Sequence, residues 1–256
     1  MDNQPVYVEK LILRRPDESF EAGLCLYKFS MLANYEEVAA FLHPQERKYY
    51  EKLKFEKRIK SYLAGRLTAK KAIVAYTGEK DLTRILIQSG IFTQPVVIYE
   101  QPNIQVSISH SDDFGAAVAF PEAHPMGIDI EKIHREQNEA IERETTESEI
   151  KLIQGLPFSY EIMLTLLWTA KEALSKVLKT GLMTPFKIFE VAKIEDHQDY
   201  LLSFYRNFAQ YKTVSFLIGN NVCSIVYPMK TEISINIAAI NQAFKNLYPV
   251  LPDKSF

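Results

Sequence analysis

The sequence predicts an α+β fold made of two similar lobes, each with a helix packed on a small antiparallel sheet. Segments in which apolar and polar residues alternate, as in antiparallel strands, occur in both halves. Each half also contains a long stretch with helical periodicity. The order helix, strand, hairpin appears twice in 256 residues, a length that suits two small lobes. We therefore expect lobes at 1–121 and 122–256, related by a pseudo-twofold, with the active site at the lobe interface.

Local patterns define the elements of the first half. Alternation predicts strands over 6–13 and 22–27, joined by a turn at Pro16-Asp17-Glu18-Ser19. A short helix over 34–42 ends before Pro44, and a basic helical pattern over 45–76 ends at Gly78. Further extended segments are predicted at 94–99, 105–109 and 115–120.

The second half repeats this order. A helix over 163–178, stopped by Gly181, precedes a strand over 189–195 and a hairpin over 210–218 and 222–227 around Gly219-Asn220-Asn221. Overlaying the halves suggests an internal duplication, with offsets of 105 residues for the helices and 108 for the strands. In the segment 131–160, Thr146 and Glu149 form a possible capping box that opens a short helix through Ile153.

Composition excludes several classes of protein. Hydrophobic residues make up 47% and charged residues 24%, which argues against disorder and low complexity. Thirty basic against thirty-two acidic residues argue against nucleic-acid wrapping and polybasic membrane binding. Cys25 and Cys223 lie far apart, so we expect free buried thiols and no thiolate zinc site. With no signal peptide and no apolar run long enough for a bilayer, we expect a cytoplasmic protein.

The string Gly127-Ile-Asp-Ile-Glu131 places two carboxylates on one face of a predicted strand. Ile128 and Ile130 would face the core, while Asp129 and Glu131 would point together to the other side, about 7 Å apart. Oxygen ligands at this spacing suit Mg²⁺, which is usually held by one or two carboxylates and substrate phosphates. An exposed strand edge with acidic residues in water is the alternative.

The second motif is the helix Trp168-Thr-Ala-Lys-Glu-Ala-Leu-Ser-Lys176. Its period puts Glu172 and Lys176 on one stripe with Trp168, while Leu167 and Leu174 lie on the buried stripe. The spacing of Glu172 and Lys176 also suits an ordinary surface salt bridge along the helix. The motif alone leaves both interpretations open.

Two further segments carry phosphate-binding residue types. In Val106-Ser-Ile-Ser-His-Ser111, hydroxyl groups and His110 stand where a strand meets a turn. A structural histidine is the alternative, and a Ser/His hydrolase is disfavoured because no G-x-S-x-G elbow is present. In the basic helix, Arg58, Arg66 and Lys70 share one arc and suit a phosphate monoester, unless they form a solvated face.

In type and order, these motifs resemble the 4'-phosphopantetheinyl transferase family. S-I-S-H-S, G-I-D-I-E and W-T-A-K-E-A-L-S-K follow one another, and an upstream basic helix carries A-G-R. The length and duplicated layout resemble the larger surfactin-synthetase-activating type, a pseudo-dimer in one chain. The resemblance runs from Arg58 to Lys179, about half of the chain. It implies coenzyme A as donor, an apo acyl or peptidyl carrier protein as acceptor, and a monomer.

The resemblance also implies roles for named residues. Attack on the coenzyme A pyrophosphate builds charge, so a metal is needed. Mg²⁺, or Mn²⁺, would be held by Asp129, Glu131 and Glu172. Glu172 or a metal-bound water would be the base, and Lys176 would neutralise the pyrophosphate or protonate the leaving phosphate. The residues expected to bind the phosphates and the adenylate are Arg58, Arg66, Lys70, Ser109, His110, Lys171 and Lys176.

The segment 131–160 is where this resemblance places the carrier protein. Because the segment is acidic and carrier proteins are usually acidic too, we expect docking on the apolar residues Ile150, Ile153, Leu156 and Phe158. Two other functions stay open at this point. One is a metal-dependent nucleotide phosphohydrolase, and the other is a non-catalytic module that binds coenzyme A or a carrier protein.

Overall fold

The computed structural model describes residues 5–29, 35–91, 93–112 and 114–245, without the side chain of Leu182. The chain divides into two compact units. Unit 1 comprises Met1–Pro125 and Glu232–Ile235, and unit 2 comprises Met126–Thr231 and Asn236–Phe256. Each has its own hydrophobic core between a long helix and an antiparallel sheet. The predicted α+β class with a helix on a sheet in both halves is therefore confirmed.

Unit 1 is built on a five-stranded antiparallel sheet. Its strands are β1 (Val6–Arg14), β2 (Ser19–Lys28), β5 (Ile104–Ser111), β6 (Phe114–Pro121) and β12 (Glu232–Ile233), in the order β12-β1-β2-β6-β5. A separate hairpin pairs β3 (Leu86–Ser89) with β4 (Pro95–Ile98). The helices are α1 (Tyr35–Ala39), α2 (Pro44–Tyr50) and α3 (Glu56–Thr77), and α3 packs on β2 and β6.

Unit 2 has a second five-stranded antiparallel sheet. Its strands are β7 (Gly127–Lys132), β8 (Val191–Asp196), β9 (Leu201–Tyr205), β10 (Tyr211–Ile218) and β11 (Asn221–Pro228), in the order β7-β11-β10-β9-β8. The helices are α4 (Asn138–Arg143), α5 (Glu147–Gln154), α6 (Tyr160–Leu178) and α7 (Ile237–Phe244). Helix α6 packs on β7 and β11. The predicted hairpin turns at Gly219, whose φ of 56° suits glycine.

Some element boundaries differ from the prediction. The helical pattern over 45–76 is two helices, because the chain leaves the helix between Tyr50 and Glu56. Strands β3 and β9 and helix α7 were not predicted, since each is short and weakly periodic. Helix α6 ends at Leu178, and its C-cap residue Lys179, two residues before Gly181, adopts the left-handed conformation. Asn34, the predicted start of the first helix, lies outside the described residues.

The two units repeat one arrangement of helix and sheet. A Cβ on Gly23 would meet the Ala72 carbonyl oxygen at 2.0 Å, and one on Gly127 would meet that of Ala173 at 2.1 Å. Each glycine therefore lets a long helix approach a strand closely. Ala72 and Ala173 lie 101 residues apart, so the helices are related by an offset of 101, one turn less than the predicted 105.

Strand registers give the second offset. Ile108 pairs with Ala117 in unit 1, and Ser215 pairs with Ser224 at the corresponding place in unit 2. The strands are thus related by 107 residues, where 108 was predicted. The order β2-β6-β5 in unit 1 matches β7-β11-β10 in unit 2. These matches support the predicted duplication and correct its alignment.

Each unit also contains one buried ion pair of the same design. In unit 2, Glu149 accepts hydrogen bonds from the backbone of Thr146 and of Val191, both at 2.8 Å, and pairs with Lys171 of α6. In unit 1, Glu46 accepts from the backbone of His43 and Ile87 and pairs with Lys70 of α3. Each glutamate thus joins a capping box, a long helix and the start of a strand. The capping box predicted at Thr146 and Glu149 is confirmed.

Candidate active site

Strand β7 presents Asp129 toward helix α6. Ile128 and Ile130 are fully buried in the core, whereas Asp129 is 3% exposed and Glu131 is half-buried. Alternation along the strand puts both carboxylates on the face opposite the two isoleucines, as predicted. Because Gly127 lets α6 approach this strand, the helix can bring its own polar side chains to Asp129.

Lys176 of α6 forms an ion pair with Asp129. Its Nζ donates to Asp129 Oδ1 at 2.7 Å and to the Ile128 carbonyl oxygen at 3.0 Å. The pair therefore crosses from helix to strand rather than running along the helix toward Glu172. The side chain of Lys176 is 26% exposed, so part of it faces solvent.

Glu172 belongs to the same cluster of charges. Burial raises the pKa of its carboxyl group, Asp129 raises that pKa further, and Lys176 lowers it. These effects require Asp129, Glu172 and Lys176 to lie close together. The structure thus brings together two carboxylates and one ammonium from segments more than forty residues apart in sequence.

The donor chemistry of this cluster fits a hard divalent cation. Two half-buried or buried carboxylates repel each other, as the raised pKa of Glu172 indicates, and a dication relieves that repulsion. Within the described ranges, however, no three His, Cys, Asp or Glu side chains are grouped to bind one ion. Asp129, Glu131 and Glu172 are therefore not assembled as a three-ligand centre. Asp129 and Glu172 suit an ion completed by phosphate oxygens, as is common for Mg²⁺.

Lys171 does not point to a phosphate site, so its predicted role is wrong. Its side chain is almost fully buried, and Nζ donates to Glu149 Oε2 at 2.7 Å and to the Glu144 carbonyl oxygen at 2.9 Å. Burial lowers the pKa of Lys171, while Glu149 opposes that shift. Lys171 thus ties α6 to α5 and to the segment before α5.

Unit 1 contains a pocket of about 470 Å³ where the basic residues were predicted to act. Arg58, Ser61 and Arg66 of α3 line it, and Ser61 Oγ lies 3.0 Å from Nε2 of His110 on β5. The Arg66 guanidinium stacks over the Tyr62 ring, 4.9 Å from its centroid. Arg58, Arg66 and His110 are therefore brought to one region. The pocket is further lined by Gln45, Glu46, Tyr49, Leu53, Leu86, Ile87, Gln88 and Ser89.

Lys70 and Ser109, two further residues predicted for the phosphate site of unit 1, are both buried. Lys70 is fully buried, and its Nζ contacts Glu46 at 2.6 Å and the carbonyl oxygens of Phe41 and Leu82 at 2.9 Å. The prediction that Lys70 binds a phosphate is wrong, because its ammonium contacts the Glu46 carboxylate and two backbone carbonyl oxygens. Ser109 is buried on β5 beside the exposed His110, which suits the supporting role expected of it.

Sequence reasoning missed Ser61, Tyr62 and Glu46 in this pocket. Ser61 follows Arg58 by three residues, so helical spacing was a signal that the two share a face. Glu46 offered no such signal, because its contact at 3.4 Å with Nε of Arg66 joins two separate helices.

The two units differ in chemistry at equivalent positions. When Gly23 is aligned with Gly127 and Ala72 with Ala173, Cys25 of β2 corresponds to Asp129, and Lys71 of α3 corresponds to Glu172. Burial raises the pKa of the Cys25 thiol to about 12, and Lys71 opposes the shift, so this thiol and this ammonium are also neighbours. Unit 1 thus has a neutral thiol and a cation where unit 2 has two carboxylates.

The segment 131–160 is folded onto the core of unit 2. Helix α5 begins with the Thr146 capping box, and Ile153 on it is only 2% exposed. Ile150, Leu156 and Phe158 are partly buried and pack against the same core. The expectation that Ile153 is available to a carrier protein is therefore wrong, since its side chain is a core residue.

No helix in the described part of the chain is both long and apolar enough to cross a membrane.

Comparisons with known proteins show what the segment around this site is similar to. Residues 125–226 match the family model described as the 4'-phosphopantetheinyl transferase superfamily. No curated protein matches the chain. Among solved structures, a holo-(acyl-carrier-protein) synthase from Bacillus anthracis str. Ames in complex with CoA (3',5'-ADP) is 21% identical, with a TM-score of 0.35, over 43% of this chain and 96% of that one.

Two further structures are similar to about half of the chain. A holo-ACP-synthase from Plasmodium yoelii is 16% identical, with a TM-score of 0.33, over 45% of this chain and 95% of that one. A holo-[acyl-carrier-protein] synthase from Thermotoga maritima is 16% identical, with a TM-score of 0.34, over 48% and 69%. The matched residues 125–226, less than half of the chain, contain Asp129, Glu172 and Lys176, so this segment is similar to the 4'-phosphopantetheinyl transferase superfamily.

Proposed function

We propose that this protein transfers the 4'-phosphopantetheine arm of coenzyme A to a serine of an apo acyl or peptidyl carrier protein, in a reaction that depends on Mg²⁺ and releases adenosine 3',5'-bisphosphate. The observation that carries the proposal is the cluster of Asp129, Glu172 and Lys176 inside the segment that matches the superfamily. The larger, internally duplicated type of the family fits the repeated units.

The proposed chemistry assigns one task to each member of the cluster. The serine hydroxyl attacks the phosphorus next to pantetheine, an O–P bond forms, and the pyrophosphate bridge breaks. Glu172, or a water on the metal, accepts the hydroxyl proton. Lys176 faces the negative charge that develops on the leaving phosphate. A divalent ion held by Asp129 and Glu172 would supply Lewis-acid stabilisation to the same phosphates.

The basic pocket of unit 1 is the proposed site for the 3'-phosphate and adenylate of coenzyme A. Arg58 and Arg66 can each present a planar fork of donors to a phosphate, and His110 lies beside Ser61 at the same pocket. Lys70 and Lys171 are left out of the proposed binding set because both are buried in ion pairs.

Carrier docking on the segment 131–160 remains a proposal. It is supported by the position of this segment directly after the Asp129 strand and directly before helix α6. A docked carrier on α4 or α5 would thus touch an element joined to both parts of the charged cluster. Ile150, Leu156 and Phe158, which are partly buried and pack against the core, are the apolar positions left to test.

The proposal is tested by mixing the protein with coenzyme A, Mg²⁺ and an apo carrier protein and weighing the carrier by mass spectrometry. Transfer adds one phosphopantetheine to the carrier. Release of free phosphopantetheine with an unmodified carrier would instead indicate a phosphohydrolase. Binding of coenzyme A without any product would indicate a non-catalytic module.

Glu172→Gln should abolish the mass shift because it removes both a metal ligand and the base. Glu161→Gln is the matched control on the same helix, since Glu161 pairs with Arg135 near the start of α6. Full transfer by Glu172→Gln, or equal loss in both variants, would contradict the role of Glu172.

A further inference from the structure

Lys176 holds a position that the divalent ion also needs. Its Nζ lies 2.7 Å from Asp129 Oδ1 and 3.0 Å from the Ile128 carbonyl oxygen. These two contacts fix a positive charge against the carboxylate that is proposed as a metal ligand. In the structure, therefore, a side-chain cation partly neutralises the acidic cluster.

A dication and this ammonium cannot both occupy the cluster at low cost. Two carboxylates and one ammonium carry a net charge of −1, and an added dication would lie within a few ångströms of the ammonium. At a separation of 4 Å and an effective dielectric of 20, the dication and the ammonium repel each other by about 8 kcal/mol. Binding of the ion therefore favours a position of Lys176 farther from Asp129.

Lys176 is able to make that movement. The side chain is 26% exposed and has a flexible four-carbon stem, whereas Lys171 on the same helix is enclosed by Glu149 and a backbone carbonyl. A phosphate of bound coenzyme A would offer the displaced ammonium a new anionic partner. Without that partner, the ammonium would lose its ion pair and gain only water.

We infer that Lys176 is a resident cation that neutralises Asp129 in the metal-free protein and moves to a phosphate of coenzyme A when the divalent ion binds. This inference rests on the proposed function and adds to it a displacement of Lys176 from Asp129. The ion and coenzyme A each favour the state in which Lys176 has left Asp129, so they bind cooperatively, and the coupling is equal in both directions.

Equilibrium binding of Mn²⁺, followed by electron paramagnetic resonance of the free ion, tests this without any turnover. In the absence of coenzyme A, Lys176→Met should bind Mn²⁺ at least about tenfold more tightly than the wild type, a change of about 1.4 kcal/mol. Lys176→Arg keeps the positive charge and should stay weak. Lys179→Met removes an exposed lysine close to the end of the same helix and should bind Mn²⁺ like the wild type.

Coenzyme A provides the second arm of the experiment. Phosphate oxygens of coenzyme A can bind the ion in both proteins, but coenzyme A should tighten Mn²⁺ binding to the wild type at least about tenfold more than binding to Lys176→Met, because the variant has no ammonium to be moved. Circular dichroism confirms that each variant is folded, and Lys176→Ala serves as a second neutral variant if Lys176→Met is not.

Equal or weaker Mn²⁺ binding by the folded neutral variants would overturn the inference, as would absence of Mn²⁺ binding from every form. The carrier assay keeps the two proposals apart. If the wild type modifies the carrier but Lys176→Met gains no Mn²⁺ affinity, the proposed function stands and the displacement of Lys176 is rejected. Tighter Mn²⁺ binding by Lys176→Met supports the resident cation, whatever the carrier assay returns.

Discussion

Replacement of Lys171 by methionine separates a structural lysine from a phosphate-binding one. The change removes an ammonium that is bonded to Glu149 at 2.7 Å and leaves that carboxylate buried. Breaking a buried ion pair by removing one partner typically costs about 3–5 kcal/mol. Glu149 keeps two backbone donors, from Thr146 and Val191, so we expect a value near the lower end, about 3 kcal/mol.

Such a loss is large against the stability of an ordinary domain, about 5–15 kcal/mol. We expect the melting temperature to fall by roughly 6–12 °C, from about 2–4 °C per kcal/mol for chains near this size. The assay is thermal and urea denaturation followed by circular dichroism, with coenzyme A affinity measured by calorimetry well below the melting temperature. Affinity for coenzyme A should change less than about twofold, since Lys171 has no free donor facing solvent.

Two comparisons sharpen this experiment. Lys171→Met combined with Glu149→Gln should be less destabilising than the sum of the single changes, because the second change removes the unpaired charge. Lys70→Met should cost a similar amount in unit 1, where Glu46 has the same design. A stable Lys171→Met protein with strongly weakened coenzyme A binding would refute the reasoning and restore the phosphate role.

Three further changes follow from packing and burial. Gly127→Ala should lower the free energy of unfolding, measured by urea denaturation, by about 1–3 kcal/mol and should slow transfer. The reason is that the new Cβ would lie 2.1 Å from the Ala173 carbonyl oxygen and displace α6. Wild-type stability and transfer would contradict the close approach. His124 is fully buried and burial lowers its pKa to about 4, so stability present above pH 6.5 should be lost as the pH falls toward 4. His124→Leu should flatten melting temperature against pH over that window, and an unchanged slope would exclude this histidine as the cause. Ile153→Asp should unfold unit 2 and abolish carrier modification and coenzyme A turnover together, whereas a selective rise in the carrier KM would return Ile153 to the docking surface.

Local patterns predicted most of the secondary structure. Alternation placed Asp129 and Glu131 on the face opposite Ile128 and Ile130, because successive side chains on a strand point to opposite sides. The capping box at Thr146 could also be predicted from the sequence, because its two hydrogen bonds join residues that are three apart. Such features depend on neighbours along the chain and need no tertiary information.

The position of Lys171 in the helical repeat indicated that its side chain is buried, whereas the family resemblance indicated a phosphate-binding role. Lys171 lies four residues after Leu167 and three before Leu174, and both leucines are fully buried. A lysine on that stripe is expected to face the core. Its partner Glu149, however, lies 22 residues away on another helix, and nothing in the sequence pairs the two.

By itself, the sequence determined the class of fold, the duplicated order of elements and the residue types of the proposed phosphate and cation site. Only the tertiary structure decided which charges meet. It directs Lys176 to Asp129 and buries Lys70 and Lys171 against Glu46 and Glu149. The physical reason is that periodicity depends on neighbours a few residues apart, whereas an ion pair depends on how distant segments pack, and a lysine is catalytic or structural according to the carboxylate it reaches.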